Sequence, residues 1–472
     1  MLNLFKSLFG FGRKSTITPV TIVPGEVDYL VNDSTTNIHV SVQLPEPPPY
    51  LAFAVDGFDG TPWTTQDRVK AQAGNIYVTL ARSIQQTQNL LGQPITKWAA
   101  TNCLAVLPRA GKMLNAYYDR SALQFFWENV HGQVLYTADS TDITGHELGH
   151  ALLDALRPDF WSVQALEIWS FHEAFADINA MNAAMDQDAV LTRVIEETNG
   201  NLRLSNIISK IAEEVGYALL GPGKCLRDGV NSYKYVNPET LPKDAAYDQL
   251  AAECHSFGRV FLGTWYELMV GVYEYDVARG KAKLDALRDA KTICHRWLLL
   301  AARQAPRVAN YHDAVARVML SLARSEGSPY ADLMNTVLVA RGILQPKLFA
   351  CSINHRDMLP TQPSQEVNLG SEILALVPER KTIKLNDYGI VRAFAIEDGP
   401  DLGDIEIEVA ADKFYLFDQQ GNILDSVEPT QDQVINAARL CVGQIHSFED
   451  VGSTHATMWE IKDNKLLRTF IE

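Results

Sequence analysis

Cysteine is sparse in this chain. Only six occur in 472 residues, and Cys103, Cys225, Cys254, Cys294, Cys351 and Cys441 form no C-x-x-C pair. That scatter excludes a disulfide-stapled scaffold and points to free thiols in a reducing compartment. Long apolar runs are also missing, since none approaches the length of a membrane-spanning helix. Positive charge is in short supply, with 41 Lys and Arg against 57 Asp and Glu for a formal net charge of −16. Without a basic stripe, nucleic acid is not an expected partner. The opening stretch Met1 to Phe11 lacks a charged region ahead of its apolar residues and a small-residue cleavage site, so it does not read as a secretory signal. A docked or frayed terminus is a simpler reading of it than an interfacial helix built with Lys6, Arg13 and Lys14. A cytoplasmic location is expected, with non-classical export left open.

What is present is a folded chain. Hydrophobic residues make up 47% of it, mean hydropathy is near zero, and its length calls for two or three domains rather than one core.

Its most informative stretch is His146-Glu147-Leu148-Gly149-His150. On a helix, histidines four apart lie one turn apart on one face, so both imidazoles can reach one metal while Glu147 addresses a water beside it. A catalytic zinc needs a third protein ligand and an open position. Glu173, in Phe171-His172-Glu173-Ala174-Phe175-Ala176-Asp177, is the natural third ligand, offered from a second helix lying across the first. Asp177, one turn further on the same face, is placed to take the free N–H of a ligand imidazole and fix its ring. His172 points about 100° away from Glu173, and Glu167 has no carboxylate one turn later, so both rank below Glu173 as ligands. His39, His131, His295, His312, His355, His446 and His455 show no ligand spacing and read as structural.

An H-E-x-x-H followed by E-x-x-x-D resembles the thermolysin-like gluzincin zinc metallopeptidases, and the resemblance covers roughly residues 60 to 345. Asn115-Ala116-Tyr117-Tyr118 is similar to that family's edge-strand segment, which implies that Asn115 and Ala116 hold the substrate peptide as an added strand. His255, in His255-Ser256-Phe257-Gly258, matches the family's second active-site histidine, which implies an oxyanion-stabilising role. Arg227 stands at about the spacing of its substrate-carbonyl arginine. The resemblance implies one Zn2+ per chain.

The chain also departs from the family. Trp161 stands where an oxyanion tyrosine is usual, and the carboxylate supporting the second histidine has no match at its usual offset, which leaves Asp248 or Glu253. Asp142 corresponds to a calcium ligand of the family, yet no acidic cluster after Asp177 completes that site. A helix N-cap is therefore the simpler reading of Asp142, and calcium is not expected. Familiar family members carry a long propeptide, whereas about fifty residues precede the catalytic unit here.

The expected fold class is α+β: a two-lobe thermolysin-like zincin with a mixed N-terminal lobe, a helical C-terminal lobe and a C-terminal β-rich domain. Residues 1–50 are an N-terminal segment with an alternating stretch, Asn37 to Val42, and the proline-rich spacer Pro45 to Pro49. Residues 51–200 are the N-terminal catalytic lobe with the metal-binding helices, 201–347 the helical lobe, and 348–472 a β-rich accessory domain. Helix is expected from Thr65 to Leu91, short strands from Cys103 to Phe126, a helix start at Ser140, and a strand pair flanking Lys462-Asp463-Asn464. The function implied is zinc-dependent endopeptidase activity with Glu147 as general base, on a peptide or protein substrate. Alternatives are a zinc-binding scaffold or regulator without turnover, and a small-substrate metal hydrolase or aminopeptidase. The C-terminal domain is open to a protein partner.

Overall fold

The computed structural model describes residues 18–344, without 34, 65–66, 162–164, 222 and 306–310, and eight β-strands beyond residue 344. The terminal stretch Met1 to Phe11, and the side chains of everything beyond residue 344, lie outside the described residues.

Strands come first. β1 (Glu26–Val31) and β2 (Ile38–Gln43) pair antiparallel, the second coinciding with the alternating stretch Asn37 to Val42. β3 (Phe53–Val55), β4 (Leu104–Leu107), β5 (Ala116–Tyr118) and β6 (Ala122–Phe125) form a four-stranded sheet in the order β3-β4-β6-β5. Its first three strands run parallel, while β5 is antiparallel to β6 and forms one edge. β7 (Trp127–Val130) and β8 (Gln133–Tyr136) make a further hairpin. Behind the sheet lies α1 (Arg68–Leu91), capped at its start by the Asp67 side chain and at its end by Gly92 in the left-handed region, φ 68°.

Helices then dominate: α2 (Thr141–Leu156), α3 (Leu166–Ala184), α4 (Asp188–Glu197), α5 (Glu213–Leu220), α6 (Cys254–Ala278), α7 (Lys283–Gln304), α8 (Tyr311–Ser325) and α9 (Ala331–Ala340). Between α4 and α6, on either side of α5, lie the two strands of a short pair, β9 (Lys210–Ile211) with β10 (Arg227–Asp228). Beyond residue 344 the strands are β11 (Gln365–Asn368), β12 (Thr382–Leu385), β13 (Ile390–Phe394), β14 (Asp404–Glu408), β15 (Phe414–Phe417), β16 (Ile423–Val427), β17 (Trp459–Lys462) and β18 (Lys465–Arg468). β17 and β18 pair antiparallel on either side of Asp463 and Asn464. The chain is thus mixed α and β, with small sheets, consistent with the α+β class.

Helix α3 is the central bar. Nearly every residue from Glu167 to Ala184 is buried, as expected of a helix surrounded by other elements. Two helices cross it at backbone distance. A Cβ on Gly149 of α2 would come within 2.6 Å of the Ala176 Cα, and one on Gly145 within 2.9 Å of the Ala180 Cα. On the other side, a Cβ on Gly258 of α6 would meet the Ser170 carbonyl oxygen at 2.8 Å. Polar groups on α3 find partners across these crossings: the Asn179 amide donates to the Gly145 carbonyl at 2.7 Å, and Asn182 pairs with His295 at 2.8 Å.

The N-terminal segment is not separated from this core by its prolines. Ile22, Val27, Tyr29 and Val31 are buried in the same cluster as Leu51 and Phe53. Tyr29 shares a hydrogen bond with Thr79 of α1, and the Tyr77 hydroxyl donates to the Pro45 carbonyl. A proline run lacks backbone donors yet still packs, which is why composition alone suggested a spacer.

Candidate metal centre

Helix α2 begins at Ser140, whose hydroxyl accepts from the Ile143 N–H. Asp142 is therefore not the cap expected of it. It lies inside the first turn, 2% exposed, accepting from the Ala212 N–H, and burial followed by the charges of Asp33 and Glu213 pushes its pKa well above the usual carboxylate range. The preceding serine can reach the N–H three residues on, so the cap falls to it.

One turn into α2 the sequence motif delivers its side chains to the crossing with α3. Nε2 of His146 and Nε2 of His150 are 3.1 Å apart. The Glu173 carboxylate closes the triangle, with Oε2 3.6 Å from His146 Nε2 and Oε1 3.6 Å from His150 Nε2. A tetrahedral zinc with bonds of about 2.0–2.1 Å requires donor separations of about 3.3 Å. The tautomers support the same fit. His146 Nδ1 lies 2.8 Å from Asp177 Oδ1, as the Asp177 spacing implied; with Nδ1–H donating to that carboxylate, Nε2 carries a lone pair aimed at the shared point. A lone pair and a carboxylate converging in a nearly dry site are a cation's environment.

The geometry also assigns partners that the sequence left open. His172, ranked low as a ligand, does not join the three donors; its Nδ1 lies 3.3 Å from His150 Nδ1, behind the ligand ring. It is 1% exposed, stacks on Trp169 with centroids 5.7 Å apart, and its Nε2 is buried without a hydrogen-bond partner. Arg227 on β10 reaches Glu173 through Nη2 at 2.9 Å and Asp177 through Nε at 3.1 Å, so it clamps the third donor to the carboxylate behind His146. Its burial excludes the solvated surface charge that the residue would suggest in isolation, because the side chain is only 13% exposed.

His255 lies beside the same Glu173 carboxylate. It stands in the first turn of α6, 58% exposed, with Nε2 3.5 Å from Glu173 Oε1. Of its two candidate supports, the structure places Glu253 beside it, Oε1 at 2.5 Å from Nδ1, while Glu253 also caps α6 by accepting from the Ser256 N–H. Asn115 directly precedes edge strand β5, and Ala116 opens it. That strand is moored to α2, since the Tyr118 hydroxyl and the Arg120 guanidinium both donate to Asp154, one turn past His150. Trp161 lies against Tyr118 and Trp169, with centroids 5.8 and 5.7 Å away, and Arg120 covers its face.

Electrostatics separate the roles in the metal-free chain. Burial pushes Glu147 up to about 7, with the Glu173 charge adding to it against the pull of His146. Glu173 goes the other way: burial would raise it, but the charges of His255, His150, Arg227 and His146 outweigh that and hold it ionised far below the usual range. His150 is driven well below the ordinary histidine value by burial, and His172 to about 4 for the same reason. Glu173 first, with burial opposing, raises His255, so that side chain is cationic at neutral pH. Glu147 and Glu173, carboxylates beside the same histidines, thus differ widely in proton affinity.

The structure brings together His146, His150 and Glu173, which the sequence singled out, with Asp177 against His146 and Glu147 adjoining it. Sequence reasoning missed the placement of His172 and the clamp by Arg227. A histidine adjoining the third ligand was the one available signal for the first; the second is a long-range pairing with no local signature. No protein-family model matches this chain, and no curated protein matches it at a significant level. Among the described residues, no helix is long and apolar enough to cross a membrane.

Proposed function

We propose that this chain is a zinc-dependent endopeptidase with the two-lobe architecture of the thermolysin-like gluzincins. The observation that carries the reading is the triangle of His146, His150 and Glu173 donors, with Glu147 adjoining the first. When bound by these three side chains, zinc supplies Lewis acidity and an acidified water.

The remaining work belongs to the protein. Glu147, 5% exposed and with a pKa near 7, accepts the proton of the attacking water and passes it to the leaving amine; a carboxyl with an ordinary pKa would be a poor donor for that second transfer. His255, cationic beside Glu173 and steadied by Glu253, meets the negative charge that develops on the peptide carbonyl oxygen. Arg227 keeps Glu173 in place and adds positive charge on the same side. Edge strand β5, from Ala116, offers unpaired backbone groups along which an extended peptide can lie, with the Asn115 side chain at its start.

The test is cleavage of a quenched peptide library by the purified chain, with a chelator control and the Glu147→Gln variant. Chelator-sensitive cleavage that the variant loses while retaining zinc establishes the enzyme. Variant activity within about tenfold of the parent would overturn Glu147 as the base, since a general base contributes about 10²–10⁴-fold. A zinc-loaded parent that cleaves nothing in the library would favour a scaffold.

A further inference from the structure

Next to the three-donor triangle the structure gathers a second donor set. Glu173, Cys254 and His255 each offer one ligand atom, and these atoms all lie within 4.8 Å of one another. Cys254 is a free thiol, partly accessible at the first position of α6. His255 presents Nε2 toward Glu173 Oε1 at 3.5 Å, while its Nδ1 is held by Glu253 at 2.5 Å. A carboxylate on one ring nitrogen and a free donor on the other is the arrangement that orients a metal-ligating histidine, and it repeats what Asp177 does for His146. Glu173 Oε1 stands at the junction, 3.6 Å from His150 Nε2 and 3.5 Å from His255 Nε2. A carboxylate can serve two cations through its lone pairs.

We propose that Cys254, His255 and Glu173 form a second site for a thiophilic divalent cation such as zinc, sharing the Glu173 carboxylate with the first, and that filling it silences the enzyme. This rests on the peptidase reading of the neighbouring site. The chemistry favours soft metals, because a thiolate joins an imidazole and one carboxylate oxygen. Cys254 binds as the thiolate and His255 as the neutral imidazole, each releasing its proton to solvent. The loss of activity follows from the donors themselves: once His255 Nε2 is a ligand, it no longer has a proton to offer the carbonyl oxygen, and the cleft beside Glu173 is filled. His255 is exposed enough for exchange with solution, whereas the first site lies deeper, so the two should fill in sequence.

Cobalt(II) titration of the metal-stripped full chain separates the possibilities. The first equivalent should bring visible bands of a nitrogen and oxygen site without thiolate-to-metal charge transfer. The second should bring the near-ultraviolet charge-transfer band, and Cys254→Ser should bind one equivalent without that band. In parallel, zinc beyond the first equivalent should depress peptide cleavage several-fold in the parent and leave Cys254→Ser unaffected. Absence of the band at any cobalt excess, or its persistence in Cys254→Ser, overturns the second site and leaves the first untouched. A charge-transfer band already present at the first equivalent and retained in His146→Ala overturns the two-histidine centre and, with it, the shared arrangement.

Discussion

The Arg227 guanidinium bridges Glu173 and Asp177, with Nη2 2.9 Å from one carboxylate and Nε 3.1 Å from the other. One cation thereby fixes a candidate metal donor and the carboxylate beside a second candidate, and it does so from outside the two helices that carry them. Removing it leaves two buried carboxylates beside the site histidines without their guanidinium partner. Loss of one partner of a buried ion pair costs about 3–5 kcal/mol, so Arg227→Ala should lower the melting temperature of the metal-free chain. Zinc restores the missing positive charge. The stabilisation on adding zinc should therefore be larger in Arg227→Ala than in the parent, and calorimetry with and without metal checks it; an equal or smaller gain would show that the clamp works by shape alone.

His172 should matter for metal affinity more than for folding. Replacing it with Phe keeps a ring against Trp169 and removes the nitrogen 3.3 Å from His150 Nδ1. Groups that orient ligand histidines are worth about 10–100-fold in metal affinity or activity. Competition against a chromophoric chelator should show zinc affinity falling within that range while the melting temperature of the metal-free protein moves little. Unchanged affinity would reduce His172 to packing.

Gly149→Ala should disturb the site even though alanine is the better helix former. Its Cβ would fall 2.6 Å from the Ala176 Cα, and backbone cannot rotate aside as a side chain can. Overpacking of this kind costs about 1–3 kcal/mol, more than the gain of roughly 1 kcal/mol in helix propensity. Forcing α2 off α3 also widens the gap between the two histidines and Glu173. The expected outcome is a lower unfolding temperature together with weaker zinc binding, measured on the same preparation; a variant with parental zinc affinity would separate the crossing from the site.

A buried acid on α3 gives the fold a pH dependence that can be read separately from catalysis. Glu167 accepts from the Tyr235 hydroxyl at 2.5 Å and from the His312 N–H at 3.0 Å, and burial raises its pKa from the model-compound 4.5 to about 8. Between those values the folded chain holds a proton that the unfolded chain has lost. This contribution to stability is complete below about pH 4.5 and is lost as pH rises through 8, at roughly 1.4 kcal/mol per pH unit. In Glu167→Gln the amide oxygen can still accept from the His312 N–H, and no titrating group remains. Denaturant midpoints measured from pH 5 to 8 should fall in the parent relative to the variant; parallel curves would place the proton elsewhere.

How far the sequence carried depends on how local the determinant is. The α2 face of His146 and His150 follows from helical period alone, and Ser140, an Ncap-type residue, announced the start of that helix. Glu173 and Asp177 were legible because they too sit one turn apart on one helix. The role of Glu253 was narrowed to two carboxylates and needed the fold to decide, since Asp248 lies in the loop and Glu253 two residues from the imidazole. Arg227 was placed by likeness to a family at a substrate carbonyl, and only the path of β10 past α3 shows which carboxylates it touches. The alternation in Asn37 to Val42 foretold strand β2, but no periodicity says that Tyr29, on its partner, will reach Thr79 of α1. Asp142 failed as a cap because a serine two residues earlier competed for the same N–H groups.

The three glycines that bring α2, α3 and α6 into backbone contact give the centre a kind of robustness that side-chain packing could not. Where helices are held apart by side chains, their spacing drifts with each substitution in the core. Here Gly145 and Gly149 rest on the main chain of α3, and Gly258 on its other side, so the distance between the histidine pair and the carboxylate is set by main-chain contact. Around such a fixed frame, the surrounding aliphatic and aromatic residues are free to change over evolution or by design without retuning the donors, provided those three positions stay bare.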